Sequence, residues 1–591
     1  MESPRSWYVL AGLGIACSVL VILISGKFVA NQPKASQAAE TTSLEVSKLE
    51  VAVNSHALVS PQLAETASPE SLDNNSGGNK LQTPENDNPT AATSHAEQKN
   101  KTDNKKLLVE NATAVLGKEI TSQVQEINSP KYRQPPQQFR PGHARRKNVD
   151  SGIVTKTENG FVIKLPSNAP IPTPTVYKDK LYVSGGFRSR EYYCFDAQTG
   201  RPIWAVDLSD DGPSSAVCSD GIVVFNTESC TLFALNAETG EHVWSYWLGD
   251  PLTSTPAISN GIVYTSYPCG GHSPELPPNV GGASGKLLPN ASHALIALEL
   301  KTGKILWQRW LDSDVMSAPV VVGDEVYVTS FAGTVYRFHK KDGTILSAHA
   351  ARATSAPVVI DQNILVTQRV TETTTNAVAE QIVGQNQLNK KESIVAAKRV
   401  APYLDANVQT RAALNSLGKS MDAANGFASG APEAANPGAA LQNIGQAGVF
   451  TMQSFQGSRI LPYQGLLLSS MGDTLTCVDS RSGQERWRLQ VQGDLKKEGG
   501  HLAAPPVAVG GQIFLATLGG EIWQVDPQNG KVVQRYRVGA PIRSQPIISR
   551  GRIYVGTMNG QLVCVDTGDP KFTGWYAWGA NMAHTNIPDK E

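Results

Sequence analysis

The chain has 591 residues with 52 basic and 52 acidic side chains, and this formally neutral balance offers no electrostatic basis for nucleic-acid binding. Its seven cysteines include no Cys-x-x-Cys spacing, which argues against a structural zinc site. There is no Gly-x-Ser-x-Gly elbow and no complete Gly-x-x-x-x-Gly-Lys-Ser/Thr phosphate loop, so serine-hydrolase and P-loop chemistry have no foothold.

The chain opens with an apolar run from Val9 to Ile24, broken only by small residues, with Trp7 and Tyr8 at one edge and Lys27 at the other. The segment approaches the roughly 20 residues that cross a bilayer. Residues 1–30 are therefore assigned as one transmembrane anchor. A secretory signal has a shorter apolar core and a small-residue cleavage site; cleavage between Ala30 and Gln32 stays open. Arg5 before the segment is opposed by Lys27 and Lys34 after it, so charge does not set the orientation.

Residues 31–150 shift to Ser, Thr, Asn, Ala, Glu, Gln and Lys, with few aromatics before Tyr132. Such a composition buries too little apolar surface to offset the entropy of ordering, which predicts a disordered, low-complexity tether. The basic run His143-Ala144-Arg145-Arg146-Lys147 reads as a solvated cluster.

From Gly160 onward one unit recurs. Phe233–Trp244, FALNAETGEHVW, is a short apolar strand, a polar turn closed by Thr239-Gly240, and a tryptophan four residues past the glycine. FDAQTGRPIW ends likewise at Trp204, LELKTGKILW at Trp307 and VDSRSGQERW at Trp487, with glycines at Gly200, Gly303 and Gly483. Ser347 and Gln534 stand at the tryptophan position in two further copies. Before each copy lies a Pro-apolar strand, anchored in order at Pro174, Ala216, Pro256, Pro319, Pro357, Arg459, Pro506 and Pro546. Steps near forty residues with four strands per unit predict an all-β, eight-bladed β-propeller of four-stranded antiparallel blades spanning 151–591. The glycines sit where a bulged hairpin needs positive φ. The tryptophans read as interlocks between blades, with each indole N–H reaching a turn carbonyl.

The lone strand Phe161–Leu165 precedes the first unit, and the last unit lacks a clear outer strand. The first strand is expected to complete the last blade and so close the ring. Two units are interrupted, by insertions at 268–292 and 402–455. One falls between second and third strands and the other between blades, and in a four-stranded antiparallel blade both connections emerge at the same end. Loops carried by a rigid scaffold are where binding residues concentrate, so this face is the expected binding surface.

Cys194, Cys477 and Cys564 share one repeat position and read as buried free thiols, because equivalent positions on neighbouring blades are too far apart to bridge. Cys230 and Cys269 lie in second-to-third-strand connections of consecutive blades, and are a candidate disulfide in an oxidising compartment. No catalytic constellation and no metal site stand out.

The units SAPVVVGDEVYVTS, ALNAETGEHVW and SQPIISRGRIYVGTMNGQLVCVD resemble the repeats of pyrroloquinoline-quinone-type propellers over about Gly160–Asp566. That family includes quinone-dependent dehydrogenases and cofactor-free scaffolds. The blade count is similar to that of the propeller lipoprotein of the outer-membrane barrel-assembly machinery. The dehydrogenases usually carry an adjacent Cys-Cys pair over the quinone; this sequence has none. The C-terminal WYAWGANMAHTN resembles a Trp-rich segment found beside such propellers and is expected to pack against the domain. The resulting expectation is a single-pass membrane protein with a periplasmic, non-catalytic propeller that needs no cofactor. It binds a protein or cell-envelope partner through the insertion-bearing face. The alternatives are an oxidoreductase dependent on pyrroloquinoline quinone (PQQ), and a small-molecule-binding sensor.

Overall fold

The computed structural model describes residues 116–249, 254–269, 291–371, 378–387, 392–400, 458–495 and 501–588. The expected anchor at 1–30 and nearly all of the two insertions lie outside them. Among the described residues no helix is long and apolar enough to cross a membrane.

Eight antiparallel sheets form the blades of a propeller. Blade 1 comprises Thr175–Tyr177, Lys180–Ser184, Glu191–Asp196 and Pro202–Leu208, from the central axis outward. The inner strands of the eight blades begin at Thr175, Val217, Ala257, Val320, Val358, Ile460, Val507 and Ile547, each directly after its repeat anchor. Blade 5, interrupted in sequence, is complete: Val358–Ile360, Asn363–Thr371, Val378–Asn386 and Glu392–Val400 pair in order.

The ring closes as the repeat pattern requires. Gly160–Lys164 pairs with Gln561–Asp566 of blade 8, with Val162 opposite Val563 and Phe161 opposite Cys564. The first and last strands of the repeat region thus share one sheet, which removes the edges an open array would expose. Across the seam, Tyr554 donates its hydroxyl to Ala197 O of blade 1 at 2.8 Å, and Arg550 pairs with Asp179.

The interlock between blades repeats the same physics. Asn236 Oδ1 accepts from Glu238 N and Thr239 N, shaping the turn that Gly240 ends at φ +72°. A side chain there would be strained, and its Cβ would also lie 2.8 Å from the ring of Trp204 in the preceding blade. Trp204 Nε1 donates to Ala237 O of that same turn at 3.0 Å. Trp244 donates to Leu300 O, Trp307 to Lys340 O and Trp487 to Pro527 O, each on the next blade, at 2.8, 3.0 and 2.8 Å. Every such indole is buried against a glycine turn with its one donor satisfied, so it couples two blades that would not be stable singly.

The N-terminal flank requires a correction. Residues 116–150, assigned above to the disordered linker, form an ordered belt on the outside of the propeller. Lys118–Glu119 extends blade 4 alongside Ile345–Ala350. Helix α1, Thr121–Ile127, then buries Val124 and Ile127, and Asn128 Oδ1 accepts from Trp310 N of blade 3 at 2.7 Å. Trp310 Nε1 donates onward to Arg133 O at 2.8 Å, and Arg140 bridges to Trp247 of blade 2. Ala144–Lys147 pairs with Pro202–Leu208 of blade 1, and Val154–Thr157 extends blade 8. The belt therefore runs backward over blades 4, 3, 2, 1 and 8. Within the basic run Lys147 pairs with Glu191 and with Asp207 and Arg146 reaches Thr239 O, while His143, Arg145 and Arg146 stay exposed as a solvated run would. Composition missed the belt because its gain comes from a few aliphatics, Leu116, Ile120, Val124 and Ile127, and from backbone bonds to blade edges, which any sequence can make.

Candidate functional site at the insertion-bearing end of the channel

Eight inner strands leave eight unpaired strand edges facing the axis. The C-terminal tail, Phe572–Asn586, meets five of them. Ile548 N donates to Trp575 O at 2.9 Å and Val176 N to Tyr576 O at 2.8 Å. Ile258 N reaches Met582 O and Val321 N reaches Ala583 O, at 2.7 and 2.9 Å. Asn586 Nδ2 donates to Ile460 O at 2.7 Å. One peptide thus ties the inner strands of blades 8, 1, 3, 4 and 6. The tail packs against the domain, as its resemblance to the segments beside such propellers implies, and it does so from inside.

At its centre His584 faces two carbonyls, Trp578 O at 2.6 Å from Nδ1 and Pro256 O at 2.8 Å from Nε2. Burial lowers its pKa from the ordinary histidine value, while the two carbonyls act in the opposite direction. Trp578 lies edge-on to this imidazole, 4.6 Å between ring centres.

Above the tail a cup of about 130 Å³ remains, with Trp578 among its lining residues. Its walls come from connections between blades and from second-to-third-strand loops, including Thr173, Ser215, Asn226, Glu228 and Arg543. These are the connections of the insertion-bearing end. Pro268 and His293 flank one interruption, and Val400 and Ile460 flank the other; the antiparallel strand order places both at the end where the cup opens. Burial pushes the Glu228 carboxyl up to about 7, assisted by Asp211 and Asp210 and opposed by the Arg188 backbone N–H, which donates to Glu228 Oε1 at 3.2 Å.

The residues singled out from the repeats lie elsewhere. Trp204, Trp244, Trp307 and Trp487 and the glycines Gly200, Gly240, Gly303 and Gly483 sit between blades or in their turns, away from the cup. Cys230 and Cys269 lie in adjacent blades, in one buried apolar cluster with Tyr267. All six described cysteines are buried and none is joined in a disulfide in the structure. Glu228, Asn226 and Arg543 drew no notice in the sequence, and Trp578 was noted there only as part of the Trp-rich C-terminal segment. The repeat register held a signal, since a polar residue just after a second strand or just before an inner strand must face the axis.

The sequence profile of the family described as outer membrane protein assembly factor BamB matches residues 168–268, 272–389 and 471–584, more than half of the chain. The chain belongs to this family. The BamB-family match takes in strands of all eight blades and leaves out the belt, the closing strand Gly160–Lys164, the outer strand of blade 5 and the first strand of blade 6. No curated protein matches the sequence. Among solved structures, BamB from Moraxella catarrhalis aligns at 13% identity and a TM-score of 0.43, over 70% of this chain and 97% of that one. Sqt1 from Saccharomyces cerevisiae aligns at 10% identity and a TM-score of 0.45, over 70% and 99%. The quinohemoprotein alcohol dehydrogenase ADHIIG from Pseudomonas putida HK5 aligns at 11% and 0.43, over 70% and 76%. At such identities and scores the likeness says nothing of activity.

Proposed function

We propose that this chain is a non-catalytic scaffold of the cell envelope. Residues 1–30 hold it in the membrane as a single span, the propeller lies on the periplasmic side, and a protein partner is gripped at the insertion-bearing end. The observation that carries the reading is that both interruptions of the repeat emerge at one end of a ring whose channel is filled by its own tail. A rigid ring with variable loops gathered on one face suits recognition. Membership of a family named for an assembly factor supports a protein partner.

The quinone-dependent alternative fits these residues poorly. The tail occupies the part of the channel lined by the inner strands. The lining of the cup includes one guanidinium, Arg543, and one carboxyl, Glu228, whereas the several carboxylates of pyrroloquinoline quinone call for more cationic partners than that. Among the described residues no three His, Cys, Asp or Glu side chains are grouped to hold a metal.

The test replaces residues 402–455 by a short Gly-Ser linker in the full-length protein and places a photo-crosslinker beside each flank of the insertions and, separately, on the outer strand of blade 7. The expected result is an unchanged melting temperature, with crosslinks to one envelope protein from the flanks only, lost in the deletion variant. Crosslinks that survive the deletion, or that form equally from blade 7, would overturn the reading. Periplasmic exposure is read in the same cells from an alkaline-phosphatase fusion at the C-terminus. Such exposure also makes the Cys230–Cys269 bridge the expected state, seen as two fewer thiols labelled in denaturant before reduction than after.

A further inference from the structure

The belt stops beside an outer edge that it leaves open. Among the described residues the sheets of blades 5, 6 and 7 end at Glu392–Val400, Glu485–Gln490 and Val532–Arg537 with no strand beyond them, and an open strand edge is a template for one more strand. Followed upstream from Val154–Thr157, the belt meets blades 8, 1, 2, 3 and 4 in turn, so blade 5 is next on its path. Its first described residue already lies at that junction. Leu116 is 0% exposed, in one buried cluster with Ala351 and Ala353 after blade 4 and with Val359, Ile364, Val366 and Val383 of blade 5. Gly117 follows at φ +74°, where a Cβ would lie 2.0 Å from Ala350 O. The chain is therefore pressed onto the last residue of blade 4's outer strand as it arrives.

Register carries the pattern further. Lys118 stands opposite Ala350 and Ala144 opposite Leu208, each the last residue of its blade's outer strand, and Val154 stands opposite Ile163, one short of the last. Residues 148–153 connect the belt strands on blades 1 and 8. A connector of nearly the same length before Lys118, 111–117, leads back to residues 107–110, Leu-Leu-Val-Glu, just upstream of the described chain. Leu107-Leu108-Val109 is the one run of three consecutive Leu, Ile or Val residues between 31 and 115. A second copy or another protein could also add a strand to this edge. The chain's own segment has the advantage, because a connector this short holds it there at an effective concentration of about millimolar, well above that of a free partner. We propose that residues 107–110 form one more belt strand, antiparallel to Glu392–Val400 on the outer edge of blade 5, with Leu107 opposite Val400. The edge is then a docking site for the chain's own N-terminal tether, and it fastens the tether beside the residue that leads into the second insertion.

Hydrogen exchange on the full-length, detergent-solubilised protein tests this, read on the alternate amides of Glu392–Val400 that point away from Val378–Asn386. Leu108→Pro combined with Val109→Pro removes two adjacent N–H groups, one of which must face the blade. The double variant should speed exchange of those amides about tenfold or more, with Val532–Arg537 on blade 7 unchanged. A second variant, Val109→Cys with Lys398→Cys, should give a disulfide-bridged monomer on oxidation. Exchange that the proline substitutions leave unchanged, or an equal rise on blade 7, overturns the proposal. A disulfide-linked dimer in place of the bridged monomer overturns it as well, by giving the edge to a second copy.

Discussion

The two ends of the described chain meet the same difficulty from opposite sides. A propeller blade has an inner strand edge toward the axis and an outer one toward solvent, and each presents unpaired N–H and C=O groups. The N-terminal belt covers outer edges and the C-terminal tail covers inner ones. The belt does so largely with backbone pairing and a thin line of aliphatics. The tail does so with large buried side chains: Trp575 is 0% exposed, and His584 and Asn586 are 1% exposed. Covering an inner edge takes place inside a closed ring, where water is largely excluded, so each backbone bond the tail makes there spares two polar groups a desolvation cost. Covering an outer edge competes with solvent and contributes less per residue. The tail should therefore be the keystone of the ring and the belt an addition to it.

Deleting Phe572–Glu591 breaks this comparison if the comparison is wrong. We expect the largest loss here, on the order of 5 kcal/mol or more in urea unfolding, from the buried aromatics and the stranded inner-strand N–H groups. Next comes Val124→Asp in α1, which buries an unpaired carboxylate beneath the belt. Its expected cost is about 2–4 kcal/mol if α1 stays docked, and less if the belt simply peels away. Peeling would show as proteolytic cleavage between 116 and 150 with the ring intact, and as self-association through bared outer edges on sizing. A tail deletion that costs less than Val124→Asp would reverse the assignment of keystone and addition.

A smaller effect separates the cup from both ends. The folded protein holds the Glu228 proton up to about pH 7 because the carboxyl is buried, while the unfolded chain releases it near the ordinary glutamate value of 4.5. The contribution of this group to stability is therefore fully present below about pH 4.5 and lost as the pH rises through about 7. Glu228→Gln cannot lose it. Relative to wild type, the variant should gain about 1–3 kcal/mol between pH 5 and pH 8, measured as the difference between paired unfolding curves. A constant difference across that range would mean the carboxyl is not desolvated in the cup.

The blades were legible because each repeats a short-range rule. Asn236 starts a turn, Gly240 takes the positive φ, and Trp244 follows at fixed spacing; the eight anchors, from Pro174 to Pro546, mark the inner strands to the residue. Even closure by Phe161–Leu165 could be read, since one strand was spare at the start and one missing at the end. The belt was not legible from its bulk composition, although Ile120, Val124 and Ile127 fall at helical spacing, because the partners that make those residues worth burying lie some two hundred positions away in blades 3 and 4. Cys230 and Cys269 could be placed in neighbouring connections, but their burial with Tyr267 could not.

By itself, then, the sequence determined the number of blades, their strand order, the seam and the end at which the insertions emerge, because these follow from local turn chemistry and a repeat period. Only the tertiary structure decided that the tail fills the axis, that Asn226 and Glu228 of blade 2, Arg543 from the connection into blade 8 and Trp578 of the tail line one cup, and that the flank from Leu116 to Thr157 wraps five blades. Those outcomes depend on which strand edges and which polar groups are left without partners once the ring has closed, and that is a property of the assembled ring which no single segment encodes.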